Sequence, residues 1–161
     1  MTQVTKAKKG EITAEMRRTA ENEGVSAEYI REKVATGKIV IPANINHSNL
    51  EAVAFGKGLK TKVNANFGTS EDYDQIENEL EKLKAAVKAG ADAVMDLSTG
   101  DKIRETRKAI LNNSKLPVGT VPIYQAAVET VKSGRGIIEM EVEELFKVIE
   151  NQVEEGVDFI T

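Results

Sequence analysis

The chain has 161 residues, a length that predicts about one domain, and 40% of them are hydrophobic and 30% charged, as in ordinary globular proteins. The net charge of −4 disfavours nucleic acid and anionic membrane surfaces as main partners. The sequence contains no cysteine and one histidine, which excludes disulfides, thiolate-bound metals or clusters, a cysteine nucleophile and a multi-histidine metal site within these residues.

Residues 1–60 are predicted to form a small, mostly helical N-terminal domain. The composition of Thr13–Glu23 is helical, and a second helix is predicted over Ser26–Val34 with Ser26 as its N-cap. The β-branched run Lys38–Pro42 predicts an edge strand that the proline ends.

Residues 61–161 alternate short apolar runs with amphipathic helices. The predicted strands are 62–67, 91–97, 117–123 and 157–161, and the predicted helices are 73–88, 102–111, 125–132 and 141–155. Thr69, Ser70 or Asp72 is expected to cap the first of these helices. Gly90 and Gly156 are each predicted to end a helix directly before a strand. Such repeated βα units predict a parallel sheet covered by helices.

The two faces of strand 62–67 favour a barrel over an open sheet. Strands of a covered parallel sheet are apolar on both faces, whereas this strand carries Lys62, Asn64 and Asn66 on one face. The polar face predicts a strand that lines a site, as in (β/α)₈ barrels. The predicted class is therefore α/β: the first half of a (β/α)₈ (TIM) barrel preceded by the small N-terminal domain. Because a half-barrel exposes two sheet edges, we expect the chain to be a fragment of a longer protein.

The sequence has no membrane or secretion signal. No apolar run approaches the ~20 residues needed to cross a bilayer. The basic N-terminal residues Met1–Gly10 are not followed by an apolar core, so they are not typical of a secretory signal. We therefore expect a cytoplasmic protein.

Four motifs, in this order and at these spacings, resemble the phosphomethylpyrimidine synthase (ThiC) family. They are Asn44-Ile45-Asn46-His47, the segment 61–70 with Asn64-Ala65-Asn66, the segment 94–100 with Met95-Asp96-Leu97-Ser98-Thr99, and the segment 117–126 with Pro122-Ile123-Tyr124. The resemblance covers the whole chain, which is less than half of the family's usual length.

The resemblance implies a radical S-adenosylmethionine (radical SAM) enzyme of thiamine biosynthesis, a carbon–carbon lyase. Members of the family rearrange 5-aminoimidazole ribonucleotide into hydroxymethylpyrimidine phosphate. The implied cofactors are S-adenosylmethionine, a [4Fe–4S] cluster on a C-terminal three-cysteine motif, and a further metal, expected to be zinc. No residue of this chain is expected to ligate the cluster or the metal, so these residues alone are not expected to be active. A homodimer is expected.

Three residues are implied as substrate contacts by their places in the motifs: Asn66, Met95 and Tyr124. All three fall at the C-terminal ends of predicted strands, where a (β/α)₈ barrel builds its active site. Asn66 offers two donors and an acceptor, Met95 adaptable apolar packing, and Tyr124 a hydroxyl and a ring face. None is an acid, base or nucleophile, so no catalytic residue is assigned.

Two further residues are interpreted as structural. His47 is a candidate general base, but its turn-rich surroundings favour a hydrogen-bonded structural histidine. Asp96 is a candidate base or metal ligand, but Ser98 and Thr99 after it favour a role in capping the following turn.

The sequence leaves three other functions open. The first is a short, non-catalytic binding or assembly module of the same family, which would dimerise to cover its open edges. The second is a benzimidazole-forming relative that uses the same substrate. The third is an unrelated phosphosugar-binding βα domain, which the four motifs disfavour.

Overall fold

The structure, a computed structural model that describes residues Met1–Thr161, alternates helices and short strands. The helices are α1 (Gln3–Lys8), α2 (Ala14–Glu23), α3 (Ala27–Ala35), α4 (Ile76–Lys88), α5 (Ile103–Asn113), α6 (Pro122–Lys132) and α7 (Val142–Glu155). The strands are β1 (Ile39–Val40), β2 (Phe55–Gly56), β3 (Asn64–Phe67), β4 (Ala93–Asp96), β5 (Val118–Thr120) and β6 (Phe159–Ile160). A single 3₁₀ turn covers Ile137–Glu139.

The strands form two separate sheets. The first is the antiparallel pair β1–β2. The second has four strands in the order β3-β4-β5-β6, and all its neighbours are parallel. Helices connect each strand of this sheet to the next, which confirms the α/β class.

The first part of the chain packs around its own apolar cluster. Thr13 accepts a hydrogen bond from Met16 N (3.2 Å) at the start of α2, and Ser26 accepts one from Tyr29 N (3.1 Å) at the start of α3. The second of these helices therefore begins at its predicted cap, Ser26, and Thr13 caps the first. α1, α2, α3, β1 and the segment between β1 and β2 supply the cluster, whose buried members are Ala7, Met16, Ala20, Ile30, Val34, Ile39, Ile41, Ala52 and Ala54.

A second apolar cluster lies between the parallel sheet and its helices. Its buried members are Leu83, Val94, Ile110, Leu111, Val118 and Val157. Ala65 and Phe67 pack against it from β3, so this face of β3 is covered by helices. The two clusters share no residue. The domain boundary near residue 60 stays a prediction.

Two predicted boundaries are wrong. The strand predicted over 117–123 ends at Thr120, because Pro122 occupies the first turn of α6, where its fixed φ and missing N–H suit a helix start. The helix predicted from Tyr73 begins at Ile76, and Thr69, Ser70 and Asp72 do not cap it. Instead, Ser70 and Tyr73 exchange two backbone hydrogen bonds of 3.1 Å, which form a turn before the helix.

The predicted glycine exits are confirmed. Gly90 and Gly156 have φ values of +85° and +109°, a left-handed conformation that ends α4 and α7 directly before β4 and β6. No helix of the chain combines the length and apolar character needed to span a bilayer.

Candidate functional site

Asn66 and Met95 lie next to each other on the open face of the parallel sheet. Asn66 of β3 is the register partner of Met95 in β4, and Met95 is the partner of Gly119 in β5. Register partners of parallel strands point to the same face, and their sequence neighbours Ala65 and Val94 face the helices. The side chains of Asn66 and Met95 therefore both point away from the helices.

The Asn66 amide is oriented by its neighbour on the same face. Asn64 Nδ2 donates a 2.6 Å hydrogen bond to Asn66 Oδ1. Both side chains are exposed. With its oxygen engaged, Asn66 presents its NH₂ group as a donor to whatever lies above the sheet.

Gly119, the register partner of Met95, leaves room for an aromatic ring because it has no side chain. Met95 is buried, and its neighbour Gly119 is covered by the Phe159 ring of β6. A Cβ atom at Gly119 would lie 2.3 Å from Phe159 Cε2, so no other residue fits without displacing the ring. This part of the open face is therefore apolar, next to the polar pair on β3.

Tyr124 lies at the same edge of the sheet but on a helix. It is in the first turn of α6, where its N–H donates to Val121 O (3.0 Å), and not at a strand end as predicted. Its side chain borders a small cavity together with Asp96, Ser98 and Thr120, which stand at the carboxyl ends of β4 and β5. The ring is 45% exposed. Tyr124 thus lies at the carboxyl edge of the parallel sheet, beside the ends of β4 and β5.

The loops after β3 and β4 are joined at this edge through Asp96 and Ser98. Asp96 Oδ1 accepts hydrogen bonds from Ser98 N (3.0 Å) and Ser98 Oγ, and Ser98 Oγ accepts one from Thr69 N (3.0 Å). The expected capping role of Asp96 is confirmed. Burial raises the pKa of Asp96, although the hydrogen bonds from Ser98 and the charge of Arg107 act in the opposite direction. These bonds fix the end of β4 next to the end of β3.

His47 lies at the opposite edge of the sheet. Its Nδ1 is 2.7 Å from Asp158 Oδ2 and its Nε2 is 3.1 Å from Ser114 O. Both partners are acceptors, an arrangement that favours the protonated ring, in which both nitrogens donate. Burial lowers the pKa of His47, but the hydrogen bond and charge of Asp158 outweigh it and the net pKa is raised.

The position of His47 makes it structural rather than a base for substrate. Asp158 stands immediately before β6, and it also accepts hydrogen bonds from Asn44 N (2.9 Å) and Val118 N (2.8 Å). These residues lie at the amino ends of β5 and β6, whereas Asn66 lies near the carboxyl end of β3.

Lys62 does not extend the polar face of β3. Its Nζ lies 2.7 Å from Glu23 Oε1 of α2, and the two side chains are only 10% and 6% exposed. Burial raises the pKa of Glu23, but the bonds from Lys62 and the Lys60 backbone outweigh it and the net pKa is lowered. Lys62 therefore connects the N-terminal helices to the sheet, and Asn64 and Asn66 alone form the polar part of the open face.

A buried polar network behind the sheet was not expected from the sequence. Thr120, Arg107, Gln125 and Gln152 are each at most 3% exposed and are connected by hydrogen bonds. They come from one strand and three helices. In the sequence, these residues show only as polar residues at helix positions that face the sheet. That pattern does not indicate which of them form hydrogen bonds with each other.

The residues of this chain do not fit an iron–sulfur cluster or a multi-ligand metal ion. The chain has no cysteine, and no three or more His, Asp or Glu side chains are grouped so that they could hold a metal. The chemistry available here consists of an amide donor, an apolar floor and a phenol, which can bind and orient a small polar molecule.

Comparison with known proteins gives one consistent result. The model of the radical SAM ThiC family matches residues 2–161. The phosphomethylpyrimidine synthase of Desulforamulus reducens is 58% identical over 161 residues, 100% of this chain and 37% of that protein. Those of Thermoanaerobacter sp. strain X514 and Carboxydothermus hydrogenoformans are 59% and 56% identical over all of this chain and 37% and 38% of their own lengths. The chain thus spans little more than a third of these curated relatives.

Proposed function

The chain belongs to the radical SAM ThiC family, and on that premise we propose that it forms the N-terminal part of a phosphomethylpyrimidine synthase. In this proposal the full-length protein is a carbon–carbon lyase of thiamine biosynthesis. It rearranges 5-aminoimidazole ribonucleotide into hydroxymethylpyrimidine phosphate, and residues 61–161 supply part of the substrate pocket.

The observation that carries the proposal is the pairing of Asn66 with Met95 on the open face of the sheet. A polar donor beside an apolar floor suits a ligand that combines a flat heterocycle with a hydroxylated sugar phosphate. Tyr124, at the same edge, adds a ring face and a hydroxyl. The carboxyl edge of a parallel βα sheet is where such folds bind their substrates.

In the proposed pocket these residues bind and orient, and they transfer no proton. The Asn66 NH₂ group donates to a polar atom of the substrate, since its Oδ1 is already bonded to Asn64. Met95 and the Phe159 ring beside Gly119 support the heterocycle. Holding a reactive substrate in one orientation contributes to rate by removing its freedom before the chemical step.

We also propose that the parallel sheet is the first half of a (β/α)₈ barrel and that residues 1–60 form a separate N-terminal domain. The outer face of α7 supports the barrel, because Val142, Phe146 and Val153 form an apolar stripe and are 63%, 60% and 50% exposed. β6 has only one neighbour in the sheet and thus a free edge. A further βα unit would cover both the stripe and the edge.

The proposal assigns the cofactors to residues outside this chain. S-adenosylmethionine, a [4Fe–4S] cluster and a zinc ion are proposed for the full-length protein, and the cluster supplies the electron for radical chemistry when bound. These 161 residues alone are expected to be inactive, since they contain no cysteine to ligate a cluster. We also propose that the full-length protein is a cytoplasmic homodimer.

The test is turnover by the full-length protein with a reconstituted cluster under anaerobic conditions. The protein is incubated with S-adenosylmethionine and 5-aminoimidazole ribonucleotide, and products are followed by mass spectrometry. We expect hydroxymethylpyrimidine phosphate. A benzimidazole product would assign the chain to the related pathway, and a cluster-loaded protein that leaves the ribonucleotide unchanged would overturn the proposal.

The contribution of Asn66 is tested by Asn66→Ala. Loss of one hydrogen bond to substrate is expected to lower kcat/KM about 10-fold without changing the melting temperature, since the side chain is exposed. Asn78→Ala, an exposed asparagine on α4, is the matched control and should retain full activity. Equal kcat/KM values for the two variants would remove Asn66 from the pocket.

A further inference from the structure

The start of α6 has no capping side chain, although it carries Tyr124. Its N-cap is Val121, which makes no side-chain hydrogen bond to the first turn, and Pro122 follows. The Tyr124 N–H donates to Val121 O (3.0 Å), but no side chain caps this turn. The placement of this turn therefore depends on contacts made by other residues of α6.

Gln125, the residue after Tyr124, makes those contacts. Its Oε1 accepts hydrogen bonds from Arg107 Nη1 (2.9 Å) and Gln152 Nε2 (3.0 Å). Gln152 Oε1 in turn accepts a hydrogen bond from Thr120 Oγ1, at the end of β5. These four side chains are almost fully buried, so their geometry is closely constrained.

Arg107 also connects the network to an ion-paired cluster between α5 and α7. Arg107 Nε donates to Glu155 Oε2 (2.7 Å), and Arg104 Nε donates to Glu155 Oε1 (2.8 Å). Both arginines lie on α5, and Glu155 ends α7. The amide of Gln125 thus connects the first turn of α6 directly to α5 and α7. Through Gln152 it also connects this turn to β5.

Tyr124 itself has little to hold it. The residue is 45% exposed. It borders the same small cavity as Gln125, Gln152 and Thr120. The direction of its side chain therefore follows from the placement of the first turn of α6.

We propose that the buried amide pair Gln125–Gln152 positions Tyr124 for contact with the substrate. This inference rests on the proposed function, and it makes both glutamines positioning residues that do not touch substrate themselves. Removal of the Gln152 amide leaves Arg107 as the one residue of another helix that is bonded to Gln125, which loosens the first turn of α6 and lets the tyrosine ring change its orientation at the edge of the pocket.

The test is Gln152→Leu in the full-length protein, with Ile110→Val as the matched control. Ile110 is buried in the apolar cluster and its truncation costs stability without altering the network. We expect Gln152→Leu to raise the KM for 5-aminoimidazole ribonucleotide about 10-fold with a smaller change in kcat, a difference that converts to about 1.4 kcal/mol. Ile110→Val should leave KM unchanged.

A double-mutant cycle with Tyr124→Ala separates positioning from general destabilisation. If Gln152 acts through Tyr124, the KM effect of Gln152→Leu should fall below 2-fold in the Tyr124→Ala background. Independent, multiplicative effects on KM would overturn the inference, as would an unchanged KM in Gln152→Leu alone.

A readout without turnover distinguishes this inference from the proposed function. In protein labelled with fluorotyrosine, the ¹⁹F resonance that disappears in Tyr124→Phe belongs to Tyr124. That resonance should shift or broaden in Gln152→Leu and stay in place in Ile110→Val. An unmoved resonance refutes positioning even if the enzyme acts on another substrate, whereas a moved resonance without turnover refutes only the proposed function.

Discussion

His47 shows how one residue can be constrained by the acceptors around it. A carboxylate and a backbone carbonyl face its two ring nitrogens, so the neutral ring would leave one buried acceptor without a proton. The charged form also pairs with Asp158, whose side chain is fully buried. The histidine is therefore part of the fold and is unavailable for catalysis.

The raised pKa of His47 predicts a pH dependence of stability. The unfolded histidine titrates near 6.5, and the folded pKa lies above this value. Protonated His47 therefore stabilises the folded state below about pH 6.5, and this contribution is lost as the pH rises through the folded pKa. The melting temperature of the wild type relative to His47→Gln should be highest near pH 6 and should fall towards pH 9.

Thermal melts of both full-length proteins across this pH range check the prediction. Glutamine can still donate a hydrogen bond but does not titrate, so any common pH trend cancels in the difference. A difference between the two proteins that stays constant or grows with pH would contradict the assignment of His47 as a protonated residue.

For single residues, the sequence predicts the face of the sheet on which a side chain lies better than it predicts the side chain's hydrogen-bond partner. The two-residue period of a strand placed Asn64 and Asn66 on one face, and the structure agrees. The apolar run 117–123 predicts Tyr124 at a strand end, but Pro122 begins a helix there. The Gln125–Gln152 pair joins residues 27 positions apart, and no local pattern encodes that contact.

Among the elements, β5 and β6 are in close contact because Gly119 of β5 has no side chain. The Phe159 ring occupies the space in which a side chain at Gly119 would lie. Strand interiors rarely favour glycine, so its presence here indicates close packing rather than flexibility. The pair also forms part of the apolar floor beside Met95.

Gly119→Ala is expected to destabilise the protein. The added Cβ would force Phe159 aside, and overpacking of this kind costs about 1–3 kcal/mol. Gly136→Ala is the control, since its Cβ would meet no atom closer than 3.4 Å and its φ of −74° suits alanine. Chemical denaturation of the full-length variants should show a lower unfolding midpoint for Gly119→Ala only. Equal midpoints would show that the ring can move at no cost.

The regular elements were predictable where their signals are local. Alternation of apolar runs and amphipathic helices, together with glycine at helix ends, indicated the parallel sheet. α1 was not predicted because it has six residues and buries only Ala7. β2 was not predicted because its two residues pair with β1 across a long loop, which is a non-local contact.

At the scale of the whole molecule, the outer side of α7 is an apolar surface without a partner in this chain. Val142, Phe146 and Val153 follow the helical repeat on the outer side of α7. Exposed stripes of this kind are usual where another element packs. In the proposed barrel, that element is the helix of the next βα unit.

Phe146→Lys tests this surface in the full-length protein. If the stripe is covered there, burial of the ring contributes about 2 kcal/mol, and the charged variant should melt several degrees lower. Glu150→Lys introduces the same residue at an exposed site of α7, where it removes only an exposed ion pair with Lys147, and it should melt like the wild type. A Phe146→Lys protein as stable as Glu150→Lys would mean that α7 faces water in the complete molecule.

The connection between Asn44–His47 and the end of α7 has a consequence for the order of folding during synthesis. Asn44 Nδ2 donates to Val153 O (2.7 Å) and Val157 O (2.9 Å), and Asn44 N reaches Asp158, 114 residues later. Such distant contacts form slowly, because a long loop must close first. On the ribosome, residues 44–47 therefore wait for their partners until residue 158 has left the exit tunnel. The N-terminal segment is made first but reaches its final contacts only after most of the parallel sheet has been synthesised.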